Sequence, residues 1–113
     1  MEKRVLFVCS QNMLRSPTAE KIFSEYGNLV VASAGVGIDA EIKLNNDYVS
    51  GSDLIFVMEE DQREILLKKF KKHLNNVKVV CLDIPDQYDF MDPELIRILW
   101  EKVPPHIKEL VNS

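Results

Sequence analysis

The residues most able to do chemistry in this chain lie close together near its start. Cys9 and Arg15 frame Ser10-Gln11-Asn12-Met13-Leu14, and Ser16 follows at once. A cysteine supplies a nucleophile. An arginine supplies a planar fork that grips two oxygens of a phosphate. The apolar run Val5-Leu6-Phe7-Val8 enters this segment as a buried strand would, and Pro17-Thr18-Ala19-Glu20 leaves it as the first turn of a helix. A strand–loop–helix junction is a ready anion site, because loop N–H groups and the helix N-terminus converge there. The same field favours a thiolate over a thiol. The spacing therefore predicts a nucleophile (Cys9), a clamp (Arg15) and a phosphate cradle formed by Ser10, Gln11, Asn12, Met13, Leu14 and Ser16. The plainer reading is a buried structural Cys beside a surface Arg. It is set aside because Arg15 falls where the loop must fold back on the thiol, and Ser16-Pro17 marks a helix start.

Cleaving a phosphate ester by thiolate attack needs an acid for the leaving oxygen. Leu82 to Pro93 offers Asp83, Asp86, Asp89 and Asp92 at a spacing of three. Asp92 reads as the N-cap of a following helix, and Asp83 lies close to a strand end. Spacing alone leaves Asp86 and Asp89 open as the acid. All four could equally be solvated turn residues.

These residues need a scaffold. Short apolar runs at Arg4–Cys9, Leu29–Ser33, Asp53–Met58 and Val77–Leu82 read as strands buried on both faces. Helices are expected at Pro17–Tyr26, with Gly27 as the residue that ends it, and at Asn45–Val49. Another is expected at Glu59–Leu74, where Leu66, Phe70 and Leu74 form one stripe. Asp92-Pro93 opens the last long helix, and Pro105–Val111 forms a final short one. Alternation of strand and helix predicts an α/β fold, a three-layer sandwich with a four-stranded parallel sheet and the phosphate loop after the first strand. Ligands in such sheets bind outside the carboxyl ends of the strands. The Cys9 loop and the aspartate-rich segment both lie there.

The chain has 113 residues and a formal net charge of −4. The length fits a single domain over residues 1–113. The charge argues against nucleic acid as a partner, and no apolar run reaches the length of a membrane span. With only Cys9 and Cys81 and no leader pattern, the expectation is a cytoplasmic protein with a reactive thiol. His73 and His106 stand too far from either Cys to complete a zinc site. Cys81 and Trp100 read as packing residues. The lysine-rich end of the Glu59–Leu74 helix reads as a solvated face.

Taken in order along the chain, the motifs resemble those of the low-molecular-weight protein tyrosine phosphatases. Val8-Cys9-x-x-Asn12-x-x-Arg15-Ser16-Pro17 is similar to their phosphate loop, and Ser33-Ala34-Gly35 to the segment closing their second strand. Asp53-Leu54-Ile55-Phe56-Val57-Met58 resembles their third strand, and Ile84-Pro85-Asp86-Gln87-Tyr88 their acid loop. The resemblance implies that Cys9 forms a phosphocysteine intermediate and Arg15 binds the phosphoryl oxygens. Asp86 would be the acid and then the base, Ser16 would donate to the thiolate, and Asn12 would hold the loop in a left-handed bend. It implies no cofactor and no metal, and as substrate a phosphorylated protein, phosphotyrosine above all, or a small aryl phosphate. Tyr88 is a candidate wall of the substrate cleft, with Phe90 and Met13 beside it.

The sequence departs from the family at Gln11, where Gly is usual, at Leu14, where many members carry a second Cys, and at Gln87, where Pro is usual. The stretch between Ser33 and Asp53 is also short. Rival readings are a phosphoserine phosphatase acting on a disordered polypeptide and a phosphate- or phosphopeptide-binding module without catalysis. An arsenate reductase lacks the further cysteines it would need here. A cysteine phosphocarrier would have neither Arg15 nor an acid loop.

Overall fold

The computed structural model describes residues 2–112. The chain runs β1 (Lys3–Cys9), α1 (Arg15–Phe23), β2 (Leu29–Gly35), α2 (Asn46–Ser50), β3 (Leu54–Val57), α3 (Glu60–Lys69), a 3-10 turn at Lys71–His73, β4 (Lys78–Cys81), α4 (Pro93–Lys102) and α5 (Pro104–Val111). The four strands form one sheet in the order β2-β1-β3-β4, and every pairing is parallel. β1 is central. Val5 sits opposite Val31 on one side and Leu54 on the other.

Helices cover both faces, which is why β1 and β3 read as unbroken apolar runs rather than alternating ones. On one face Val5, Phe7 and Phe56 pack with Ala19 and Phe23 of α1, Leu95 and Leu99 of α4, and Ile107 of α5. On the other, Leu6, Val8, Ile55 and Val57 meet Val49 of α2 and Leu66 of α3. The expected three-layer α/β sandwich is thus the fold. An aromatic stack fills the first layer: Phe7 lies between Phe56 and Phe23, with centroid distances of 5.2 and 5.8 Å. Trp100 closes on Phe23 at 4.6 Å, although its far edge is exposed. Trp100 is therefore packing, as expected.

Some boundaries shift for local reasons. α1 begins at Arg15, two residues before the predicted Pro17, because a proline in the first turn loses no needed hydrogen bond. It ends at Phe23, so Gly27 (φ 61°) turns the chain three residues beyond the Ser24 cap rather than terminating the helix itself. The predicted Glu59–Leu74 helix is broken at Phe70 (φ −118°, ψ 18°). The tighter 3-10 turn that follows lets both Phe70 and Leu74 lie against the second core cluster. Asn45 caps α2 from outside by accepting from Tyr48 N at 2.9 Å. Asp92 caps α4 by accepting from Glu94 N at 2.9 Å, with Pro93 as the first helical residue. Cys81 is half-buried at the C-terminal end of β4 and packs against the second cluster. Among the described residues no helix is long and apolar enough to cross a membrane.

Candidate active site

Residues 10–14 leave the carboxyl end of β1 and enter α1, so the loop sits where the central strand stops. Cys9 is the last residue of β1 and is 3% exposed. Its Sγ accepts the Asn12 backbone N–H at 3.2 Å and lies 2.9 Å from Ser16 Oγ. The loop closes on the thiol because Asn12 takes φ 58°, a left-handed turn that Asn tolerates. The Asn12 side chain then reaches inward, its Nδ2 donating to Ser16 Oγ at 3.0 Å and to Ser33 Oγ at 2.9 Å. Ser33 in turn donates to Glu20 of α1. Ser16 is thus held by Asn12, with its hydroxyl at hydrogen-bond distance from the sulfur.

The rest of the loop stays open to a ligand. Among the described residues no acceptor takes the N–H groups of Gln11, Met13 or Leu14. Leu14, at the N-cap of α1, offers no side-chain cap. These uncapped amides and the helix N-terminus are the donor set that binding an oxyanion requires. The residues just after β2 support the loop. Val36 N donates to Cys9 O at 3.0 Å, and Gly37 N donates to Ser10 O at 2.7 Å. An ideal Cβ on Gly35 would lie 2.7 Å from Ser10 O and 2.9 Å from Asn12 N, so the strand approaches this closely only as glycine.

Arg15 is 2% exposed. Its Nη1 donates to Glu59 Oε1 at 2.5 Å and to the Ile84 carbonyl at 2.7 Å. Its Nε lies 3.7 Å from Asp86 Oδ1, and the Asp86 side chain is 65% exposed. Cys9, Ser10, Gln11, Met13, Leu14, Arg15 and Asp86 together line a cleft of about 110 Å³. The structure therefore brings the predicted nucleophile, clamp and acid to one cleft. Of the two aspartates that spacing left open, Asp86 is the one at the cleft. Asp83, at φ 54°, instead accepts from the Cys81 thiol at 3.4 Å.

Tyr88 is placed differently. It is half-buried against the first core cluster and does not line the cleft, whose apolar wall is Met13 and Leu14. Phe90 is exposed. Three contributors escaped the sequence reading: Glu59, which holds Arg15, Gln62, which reaches Ser10, and the Ile84 carbonyl. Glu59-x-x-Gln62 could have been read as a capping box. Nothing local says that its members point into a loop 50 residues away. Glu60, Cys81 and Asp83 also come together in a group with potential ligand atoms, two of them exposed carboxylates.

Comparison with known proteins agrees with this fold. Residues 4–47 match the family model of the low molecular weight phosphotyrosine protein phosphatases. Across the chain, the tyrosine phosphatase Wzb from Escherichia coli K30, solved with phosphate, superposes with a TM-score of 0.77 at 20% identity, covering 97% of this chain and 99% of that one. The chain has the low-molecular-weight phosphotyrosine phosphatase fold. A low molecular weight protein tyrosine phosphatase from T. tengcongensis shares it at TM-score 0.72 and 21% identity, over 97% of this chain and 98% of that one. So does the YwlE arginine phosphatase from Geobacillus stearothermophilus, at TM-score 0.66 and 21% identity, over 95% and 96%. No curated protein sequence matches the chain. Within this phosphatase fold, Gln11 is accommodated because residue 37 is glycine: an ideal Cβ there would lie 2.9 Å from Gln11 Nε2. Gln87 places its Nε2 3.4 Å from the Tyr88 hydroxyl.

Proposed function

We propose that residues 1–113 act as one unit that hydrolyses phosphomonoesters by way of a phosphocysteine. Cys9 attacks phosphorus. The phosphoryl oxygens lie on the loop amides and the Arg15 guanidinium, which supply preorganised charge where it develops. Asp86 protonates the departing oxygen, then takes a proton from the water that cleaves the phosphocysteine. The observation that carries this reading is the convergence of the Cys9 thiol, the Arg15 guanidinium and Asp86 on one small cleft. No step calls for a metal ion. A cytoplasmic setting suits the unpaired thiol.

The substrate class we favour is phosphotyrosine in a protein, with Met13 and Leu14 as the wall against the ring. Thioethers pack well on aromatic edges. A second reading, phosphoarginine, is supported by the Asp86 carboxylate, which lines the cleft beside the clamp and would face a guanidinium leaving group.

The test is hydrolysis of an aryl phosphate with EDTA present, at about pH 6. Cys9→Ser is expected to abolish turnover, and Asp86→Asn to lower kcat by about 10²–10⁴. Turnover surviving in Cys9→Ser would overturn the mechanism. A phosphoarginine peptide turned over in preference to a phosphotyrosine peptide would select the second substrate.

A further inference from the structure

Gln62 is a fully buried amide that links the start of α3 to the phosphate loop. Its Oε1 accepts the backbone N–H of Met58 at 2.9 Å and of Glu59 at 3.0 Å. Both bonds fix which end of the amide is oxygen. The other end, Nε2, must then be the donor, and it points 3.2 Å from Ser10 Oγ. Ser10 thus receives a hydrogen bond on its oxygen. Among the described residues no acceptor takes the Ser10 hydroxyl proton, and Ser10 lines the cleft beside Cys9 and Arg15.

From this we infer that Gln62 is a positioning residue for the phosphate site, orienting the Ser10 hydroxyl so that its proton faces the cleft and donates to a phosphoryl oxygen. The inference rests on the proposed phosphatase reading and adds a side-chain donor to a cradle otherwise built of backbone amides. Its chemical logic is that of a defined donor chain. The Met58 and Glu59 amides fix the Gln62 oxygen, Gln62 occupies one acceptor position of the Ser10 oxygen, and the Ser10 proton is left to turn away from Gln62. The same capping box also carries Glu59, whose side chain holds Arg15 from the other side. The first turn of α3 therefore braces the cradle at two points, its loop and its clamp.

The experiment compares wild type, Ser10→Ala, Gln62→Met and the double variant. Orthovanadate affinity is read by titration, aryl phosphate kinetics as kcat and KM separately, and melting temperature alongside. Ser10→Ala is expected to weaken orthovanadate binding about tenfold, the scale of one hydrogen bond to a charged group, with little change in melting temperature. Gln62→Met is expected to give the same loss of affinity plus a lower melting temperature, since it also removes the α3 cap. The double variant is expected to bind orthovanadate no worse than Gln62→Met, because both changes remove one donor. Additive losses in affinity would overturn the inference, and so would a Ser10→Ala protein that binds and turns over like wild type. Ser10→Ala is a surface-lining change, so a Gln62→Met protein that fails to fold still leaves that second measurement decisive. A wild type that turns over aryl phosphate while Ser10→Ala is silent sinks the inference alone. A wild type that neither binds orthovanadate nor hydrolyses sinks the phosphatase reading and this inference with it.

Discussion

At the scale of single residues, Asn12 does two jobs that can be separated. Its backbone makes the left-handed bend, and its amide ties Ser16 to Ser33. Asn12→Gly keeps the bend and loses the ties, whereas Asn12→Ala loses the ties and strains the backbone as well. Asn12→Ala is expected to cost about 1–3 kcal/mol of stability, with Asn12→Gly retaining more activity of the two. Denaturant unfolding and aryl phosphate kinetics check this, and equal activity in both variants would show that the bend does not matter. The two cysteines should also differ. Burial, and to a lesser degree the neighbouring Asp83 carboxylate, push the Cys81 thiol from 9.0 up to about 11. Its thiolate is therefore scarce until the pH rises toward that value. In Cys9→Ser protein, alkylation of Cys81 at about pH 8 should run roughly 100-fold slower than for a free thiol of ordinary pKa. A rate matching the free thiol would refute it. Cys9, Arg15 and Asn12 were legible in the sequence because their types and spacing are themselves the chemistry. Spacing did not choose Asp86 over Asp89, since both sit in the same turn-rich segment; the resemblance of Ile84-Pro85-Asp86-Gln87-Tyr88 to an acid loop did, and the folded loop brings Asp86 to the clamp.

At the scale of elements, the site depends on how closely β2 and α4 hold the loops. Gly35 ends β2 directly beneath the phosphate loop, where an ideal Cβ would meet Ala40 Cβ at 2.7 Å as well as loop backbone. Gly35→Ala must displace Ser10 or Asn12. We expect a loss of about 1–3 kcal/mol in stability and a loss of orthovanadate affinity, read by denaturant unfolding and titration. Unchanged affinity would mean that the loop geometry does not rest on β2. The acid loop is tied down differently. Met91 N donates to Thr18 Oγ1 at 2.9 Å, and Lys102 Nζ donates to the Leu82 carbonyl at 2.6 Å. The Asp92 cap then starts α4. Asp92→Ala should cost about 1 kcal/mol while leaving kcat near wild type, checked by unfolding and kinetics together. Element types and order were readable from apolar runs and prolines. The break at Phe70 was not, because the lysine-rich continuation has good helix propensity and only packing against the sheet rotates Phe70 and Leu74 inward.

At the scale of the molecule, one buried cluster runs from the aromatic stack to Cys9, the strand end from which the candidate site opens. The Phe56–Phe7–Phe23–Trp100 stack lies on one face of the sheet, while the cleft opens at the carboxyl ends of its strands. Phe23→Ala should therefore destabilise the protein by about 3–5 kcal/mol and leave KM of the remaining folded protein unchanged. Thermal unfolding and kinetics below the transition check both halves, and a shifted KM would show that the stack also sets cleft geometry.

The sequence by itself determined the alternating architecture and marked Cys9, Arg15 and the loop between them as the candidate site, since each rests on residue types at short spacing. Tertiary structure decided everything that needed distant segments to meet. It placed Asp86 within reach of Arg15, drew Glu59 and Gln62 of one capping box onto the clamp and the loop, and turned Tyr88 against the core. It made Met13 and Leu14 the apolar lining of the cleft. Short-range patterns carry backbone conformation and local charge. Which side chains converge at the end of a parallel sheet is set by strand order and helix packing, and those exist only once the chain has folded.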